Sequence, residues 1–255
     1  MISIVVAFFC FVLVGGPARG LVGGVPLATG DIARSVLGIV GPHNSFCTAT
    51  AVARNVLLSA AHCVQQANYR AQYRDANGLW AFSDSVEWER LPQYKPPTPI
   101  TAPVGDLALL KLATPLPAEI GIAVLGLHPP PIWPGDRFIV IGGGIPFRGL
   151  HETGFNRAAT LVATGPFSSL QIRLIDPSGQ KSVCFGDSGS PVFQNEADGT
   201  RIVGVVSWAS GPNNTKGCGG LTGATPLSPY RQWIEGTLNR LGDGSTNPQE
   251  NAAPN

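Results

Sequence analysis

Charge is what this chain has least of. Only 13% of its 255 residues are Asp, Glu, Lys or Arg, against about 25% in an ordinary globular protein. The signs nearly cancel, with 17 basic and 16 acidic residues. A nucleic-acid binder needs a basic face, so that class is excluded, and so is a long solvated coiled coil. No CxxC or HxxxH spacing occurs, which removes the usual zinc frameworks. No internal repeat is present. Beyond the first residues, no apolar run is long enough to cross a bilayer. What is there is a 44% hydrophobic content, enough for a sizeable core and too much for wholesale disorder. Glycine (32) and proline (23) are abundant. Short apolar runs in a turn-rich chain point to an all-β fold.

Residues 2–16 are almost wholly apolar and stop at Pro17. Ala18-Arg19-Gly20 then places small residues three and one before a cut after Gly20. This pattern reads as a secretory signal over 1–20, although no Lys or Arg follows Met1. Its removal takes Cys10 and leaves four cysteines: Cys47, Cys63, Cys184 and Cys218. An even count in an exported chain suggests two disulfides, for which spacing allows three connectivities.

Strand-like runs occupy 36–40, 46–53, 56–59, 107–112, 138–141, 158–163, 170–175, 191–193 and 202–208. The proline-rich stretch 95–103 reads as an exposed loop, and 128–135 as a linker between two halves. One helix is expected near the end. Ser228 caps it, Pro229 opens it, and Tyr230, Ile234, Leu238 and Leu241 form its apolar stripe before Gly242 stops it. The polar remainder, 242–255, reads as a disordered tail.

The chemistry concentrates in Cys184-Phe185-Gly186-Asp187-Ser188-Gly189-Ser190-Pro191. Glycines flanking a serine permit a tight turn that aims successive N–H groups at one point. Ser188 is then a candidate nucleophile, which needs a base. Of four histidines, His43 and His128 sit beside prolines and His151 in a polar stretch. His62 stands in Ser59-Ala60-Ala61-His62-Cys63, where small neighbours and a cysteine can fix its backbone. Asp106 opens the apolar run that follows it. Aspartate is a poor strand residue, so it is the candidate that orients the histidine.

Taken together, these segments resemble the trypsin/chymotrypsin-type serine proteases. The order His62, Asp106, Ser188 is that of chymotrypsin, and Leu21-Val22-Gly23-Gly24 and Ser207-Trp208-Ala209 match the family too. The resemblance covers residues 21–241. It implies two six-stranded antiparallel barrels with the site between them, at 21–127 and 136–241, the latter including the helix. It implies the disulfides Cys47–Cys63 and Cys184–Cys218, and an oxyanion hole from the N–H groups of Gly186 and Ser188. Ser207, Trp208 and Ala209 would pair with substrate backbone. Ser182 would form the base of the side-chain pocket, with Ala209 and Gly223 as its walls. No metal or organic cofactor is implied.

In the family, a freed amino terminus pairs with the aspartate before the nucleophile, here Leu21 with Asp187. Arg19 is one residue too early for a trypsin-like activator, so signal cleavage after Gly20 is expected to free Leu21 directly. Ser182 stands where trypsin-like members carry Asp, so a medium-sized apolar or aromatic residue, not a basic one, is expected before the cut. The expected protein is a secreted monomer, extracellular or periplasmic, without membrane attachment once the signal is gone. Its expected partners are protein or peptide substrates and protein protease inhibitors. A cleft that only binds partners, an esterase or other acyl transferase, and a structural disulfide domain are the rival readings. Asn213-Asn214-Thr215 matches a glycosylation acceptor.

Overall fold

The structure is a computed structural model that describes residues 21, 28–66, 68–98, 101–143, 156–165 and 168–242. The expected leader, His151 and the tail from 243 onward lie outside the described residues.

Two of the apolar runs fold back on each other at once. β1 (Val36–Val40) pairs antiparallel with β2 (Phe46–Ala53), and β2 with β3 (Val56–Ser59). β4 (Arg70–Arg74), β5 (Trp80–Arg90) and β6 (Ala108–Leu112) complete a closed barrel in the order β1-β2-β3-β6-β5-β4. Closure removes the exposed edges that an open sheet would carry. The short strand β7 (Val124–Leu125) follows. The second barrel is built from β8 (Arg137–Gly142), β9 (Arg157–Ala163), β10 (Ile172–Ile175), β11 (Pro191–Glu196), β12 (Gly199–Ala209) and β13 (Thr222–Pro226). Its order is β11-β8-β9-β10-β13-β12, closed by β11 on β12. The two expected six-stranded barrels are therefore present. β7 adds a parallel pairing to β12, so a strand from the first half hydrogen-bonds to the second barrel before residue 128 is reached.

β4, β5 and β13 carry no run that the sequence marked as a strand. β4 and β5 are held by their faces: Arg74 stacks on Trp80 at 3.7 Å and Arg70 on Phe82 at 4.7 Å from the ring centre. β13 is Thr-Gly-Ala-Thr-Pro, weak in β propensity, yet all five residues are buried. Tertiary burial overrides local preference there.

Three apolar clusters account for the cohesion. Leu37, Ile39, Leu57 and Leu110 fill the first barrel, and Phe138, Val140, Leu161 and Leu174 the second. The third joins them: Leu58, Leu107 and Leu109 from one side meet Ile141, Phe193, Ile202 and Val205 from the other. The unbroken run Leu107-Ala108-Leu109-Leu110 is explained by burial of both its faces.

The terminal helix starts later than its sequence suggests. Residues Ser228–Tyr230 form a 3-10 turn, and the α-helix runs over Arg231–Leu241. Ser228 makes no side-chain cap; Gly242 ends the helix by donating its N–H to Leu238 O. Ile234, Thr237 and Leu241 are its buried face. Glu89 on β5 clamps it, accepting from Trp233 Nε1 (3.0 Å), Thr237 Oγ1 (3.3 Å) and Arg240 (2.5 Å). Partial burial works to raise the Glu89 pKa, but these donors outweigh it and hold the carboxyl below its ordinary 4.5. A lowered folded value stabilises the protein above the unfolded value and ceases to do so as pH falls through the folded one. Glu89→Ala is therefore expected to cost about 1 kcal/mol, or ~2–4 °C in Tm, at pH 7. The deficit should shrink as pH falls from the ordinary 4.5 through the lowered folded value. Thermal melts across pH check this, and an unchanged Tm at pH 7 contradicts it.

Candidate active site

β3 ends at Ser59, and the chain turns through a single 3-10 turn, Ala61–Cys63, that carries His62. Ala60 and Ala61, just before the histidine, are fully buried and fix the start of the turn. The disulfide Cys47–Cys63 ties this turn to β2 across 16 residues. β3 pairs with β6 in the register Ser59↔Ala108, which sets the residues just before β6 beside that turn. Asp106 stands there with no solvent exposure. Its carboxylate accepts the His62 backbone N–H at 2.9 Å, lies 2.7 Å from His62 Nδ1, and accepts from Ser207 Oγ at 2.5 Å. With Nδ1 donating to the carboxylate, neutral His62 carries its lone pair on Nε2. The buried negative charge is felt nearby: burial and Asp106 together push the Tyr94 phenol above its usual 10.

The serine loop is folded by a second buried carboxylate. Asp187 accepts on Oδ2 from the Leu21 backbone nitrogen (2.6 Å) and from Cys184 N (2.9 Å). Two tight turns follow, Asp187 N to Cys184 O and Ser190 N to Asp187 O. Gly186 has φ +92° and Gly189 φ +86°. At Gly189 a Cβ would lie 2.0 Å from Thr48 O, so only glycine lets the loop approach the first barrel this closely. Thr48 on β2 is the anchor: its N–H donates to Ser188 O (2.8 Å) and its hydroxyl to Gly186 O (2.8 Å). Ser59 Oγ in turn donates to Thr48 O. The disulfide Cys184–Cys218 braces the loop from the far side.

His62 and Ser188 line one cavity of about 850 Å³ between the barrels. No hydrogen bond joins Ser188 Oγ to His62 Nε2; Nε2 lies 3.7 Å from Cys63 Sγ. Such contacts are often long before substrate arrives. Among the described residues, the N–H groups of Gly186 and Ser188 make no hydrogen bond. Gly186, Trp208 and Ala209 also line the cavity. Ser182, Ser207 and Gly223 do not. Ser182 is buried, donating to Val183 O and accepting from Gly219 N at 2.7 Å. Ser207 faces Asp106, and Gly223 lies under the Trp208 indole. Cys47, His62 and Cys63 cluster closely, but the disulfide ties up both sulfurs and leaves a metal only one ligand.

Sequence reasoning missed Thr48 and Ser59, which hold the serine loop, and Val183 and Phe185 on the cavity wall. Thr48 and Val183 adjoin half-cystines, and Phe185 follows one. A residue beside a disulfide near a candidate nucleophile is the signal that could have found them.

Two barrels with a Ser, a His and a buried Asp at their junction define a class, and the comparisons agree with it. A family model described as Trypsin matches residues 21–234. The chain belongs to the trypsin family of serine proteases. It is 29% identical to a trypsin of Sarcophaga bullata over 215 residues, covering 77% of this chain and 80% of that one. It is 26% identical to the vitellin-degrading protease of Bombyx mori over 224 residues, covering 79% and 78%. It is 25% identical to neutrophil elastase of Mus musculus over 219 residues, covering 78% and 75%. The atomic-resolution structure of HBP superposes with a TM-score of 0.68 at 21% identity, over 86% of this chain and 97% of that one, and shares the fold.

The Ser207 hydroxyl donates to a buried charge, a bond worth about 1.5–3 kcal/mol. Ser207→Ala should lower the unfolding free energy by that amount in urea titrations. An unchanged midpoint would show that the bond contributes nothing.

Proposed function

We propose that the protein is a secreted serine endopeptidase that cleaves after apolar rather than basic residues. The observation that carries this reading is the buried Asp106 held on His62 Nδ1, with His62 and Ser188 lining one cavity. In the proposed mechanism Ser188 Oγ attacks the peptide carbonyl while His62 Nε2 takes its proton. The carbonyl oxygen, now negative, is received by the N–H groups of Gly186 and Ser188. His62 returns the proton to the leaving amine, and an acyl-enzyme remains. Water then attacks the ester, again through His62, releasing the acid and restoring Ser188. Asp106 holds the imidazole tautomer and stabilises the imidazolium throughout.

The apolar preference draws on the cavity wall. Val183, Phe185, Val206, Trp208 and Ala209 line it, no carboxylate among the described residues does, and Lys216 is present. A buried arginine or lysine side chain would find no counter-charge there. Secretion draws on the apolar leader and on two disulfides, which persist in oxidising compartments. Cleavage after Gly20 would turn the Leu21 nitrogen into an ammonium beside Asp187, and a buried carboxylate is costly without such a partner. The proposed partners are protein or peptide substrates and protein protease inhibitors, and the proposed state is a monomer.

A fluorophosphonate probe should label the exported protein, and Ser188→Ala should abolish the label. Undiminished labelling of the variant would rule out Ser188 as the nucleophile. Matched peptide substrates ending in Arg or Lys should be cut at least tenfold more slowly than apolar ones; equal rates contradict the assigned preference. Edman sequencing of secreted protein should begin at Leu21, and any other start removes the proposed activation step.

A further inference from the structure

The backbone N–H groups of residues 186–190 divide into engaged and free. Asp187 N donates to Cys184 O, Gly189 N to Val206 O and Ser190 N to Asp187 O. The N–H groups of Gly186 and Ser188 have no partner among the described residues. Each free group adjoins a peptide plane that is pinned at both ends. The plane 186–187 has its N–H on Cys184 O at 3.1 Å and its carbonyl on the Thr48 hydroxyl at 2.8 Å. The plane 188–189 has its N–H on Val206 O and its carbonyl on Thr48 N, both at 2.8 Å. The N–H ends are thus held from within the second barrel. Both carbonyl ends are held by one residue of the first, Thr48.

The Thr48 hydroxyl is itself fixed. The residue is fully buried, and while its Oγ1 donates to Gly186 O it accepts from Gly143 N at 3.2 Å, just past the end of β8. Its carbonyl accepts from Ser59 Oγ at 2.8 Å. The hydroxyl therefore bridges β8 and the serine loop. Its grip matters most at Gly186, whose φ of +92° lies in a region that glycine enters and leaves freely. Without a hold on the plane that follows it, the Gly186 N–H could swing away from the cleft. We propose that Thr48 is a positioning residue, whose hydroxyl fixes the Gly186 carbonyl and thereby aims the Gly186 N–H at the oxygen that turns negative during peptide attack. The inference rests on the peptidase reading and adds a residue to it. Thr48 touches neither substrate nor Ser188 Oγ; it acts through the loop. A donor set in advance costs no reorganisation when charge develops, which is the condition for stabilising an oxyanion. Valine has the shape of threonine but can neither donate to Gly186 O nor accept from Gly143 N. Serine can do both.

The test compares wild type, Thr48→Val, Thr48→Ala and Thr48→Ser on one peptide p-nitroanilide, with sites counted by fluorophosphonate labelling taken to completion. The valine and alanine variants should lose about 10–100-fold in kcat per labelled site, less than the roughly 10²–10³ that follows outright removal of an oxyanion donor. Their KM should stay within about threefold of wild type, as expected when an interaction is lost only in the transition state. A peptide aldehyde, whose hemiacetal oxygen occupies the same place, should lose affinity by the same factor as kcat/KM. Thr48→Ser should restore kcat to within about threefold. A valine or alanine variant with wild-type kcat overturns the inference. So does a raised KM at constant kcat, or a serine variant as slow as the valine one. If neither hydroxyl-free variant folds, Thr48 is a structural residue and the inference falls. Absence of labelling in wild type would overturn the peptidase reading and this inference with it. Labelling with kcat unchanged across the variants overturns only the inference.

Discussion

The site is organised around one buried charge. Asp106 has no solvent exposure, and its carboxylate gathers the backbone and ring of His62 from the first barrel and the hydroxyl of Ser207 from the second. An isolated buried carboxylate would cost several kcal/mol, so it survives only because these donors surround it. The constraint runs both ways. The donors must be delivered within hydrogen-bond reach, and that fixes how the two barrels sit. The apolar cluster between them, with Leu107 and Leu109 against Phe193 and Val205, supplies cohesion without direction. The hydrogen bonds to Asp106 supply direction.

A second carboxylate divides the labour. Asp187 does not line the cavity; it shapes the loop that presents Ser188, through Leu21 and Cys184. Thr48 then fastens that loop to β2 from the opposite barrel. The Ser188 carbonyl is thus held by Thr48 and the loop around it by Asp187, while among the described residues its hydroxyl makes no hydrogen bond. Rigid support around an unengaged hydroxyl is what the proposed acyl transfer needs, since the geometry must be in place before the reacting atoms arrive.

Much of this was legible in the residues. The first three strands were readable to the residue because their apolar runs end at turn signals, as at Arg54-Asn55. The Asp106 position stood out because a charged residue heading an apolar run conflicts with local preference. The disulfide partners followed only from family resemblance, since spacing left three pairings open. What escaped was set by contacts between distant segments. β4 and β5 are strands because arginines stack on aromatic rings across the hairpin, which no alternation of polar and apolar residues announces. β13 is a strand because both neighbours bury it. The contact of the Ser182 hydroxyl with Gly219, and the bulge at Ser207 that sets an indole against Gly223, were likewise beyond the sequence. A one-residue bulge leaves no mark in composition, yet it decides where the next side chain goes.

The most direct test of the account is the peptidase activity of Asp106→Asn. The amide has the shape of the carboxylate, so the packing around it is retained. Its NH₂ group, however, can face the Nδ1 lone pair, which moves the imidazole proton to Nε2 and leaves His62 unable to accept from Ser188. The account predicts a fall in kcat on the order of 10⁴-fold at neutral pH, with thermal unfolding still cooperative. A folded variant that keeps its kcat within tenfold of wild type would contradict it.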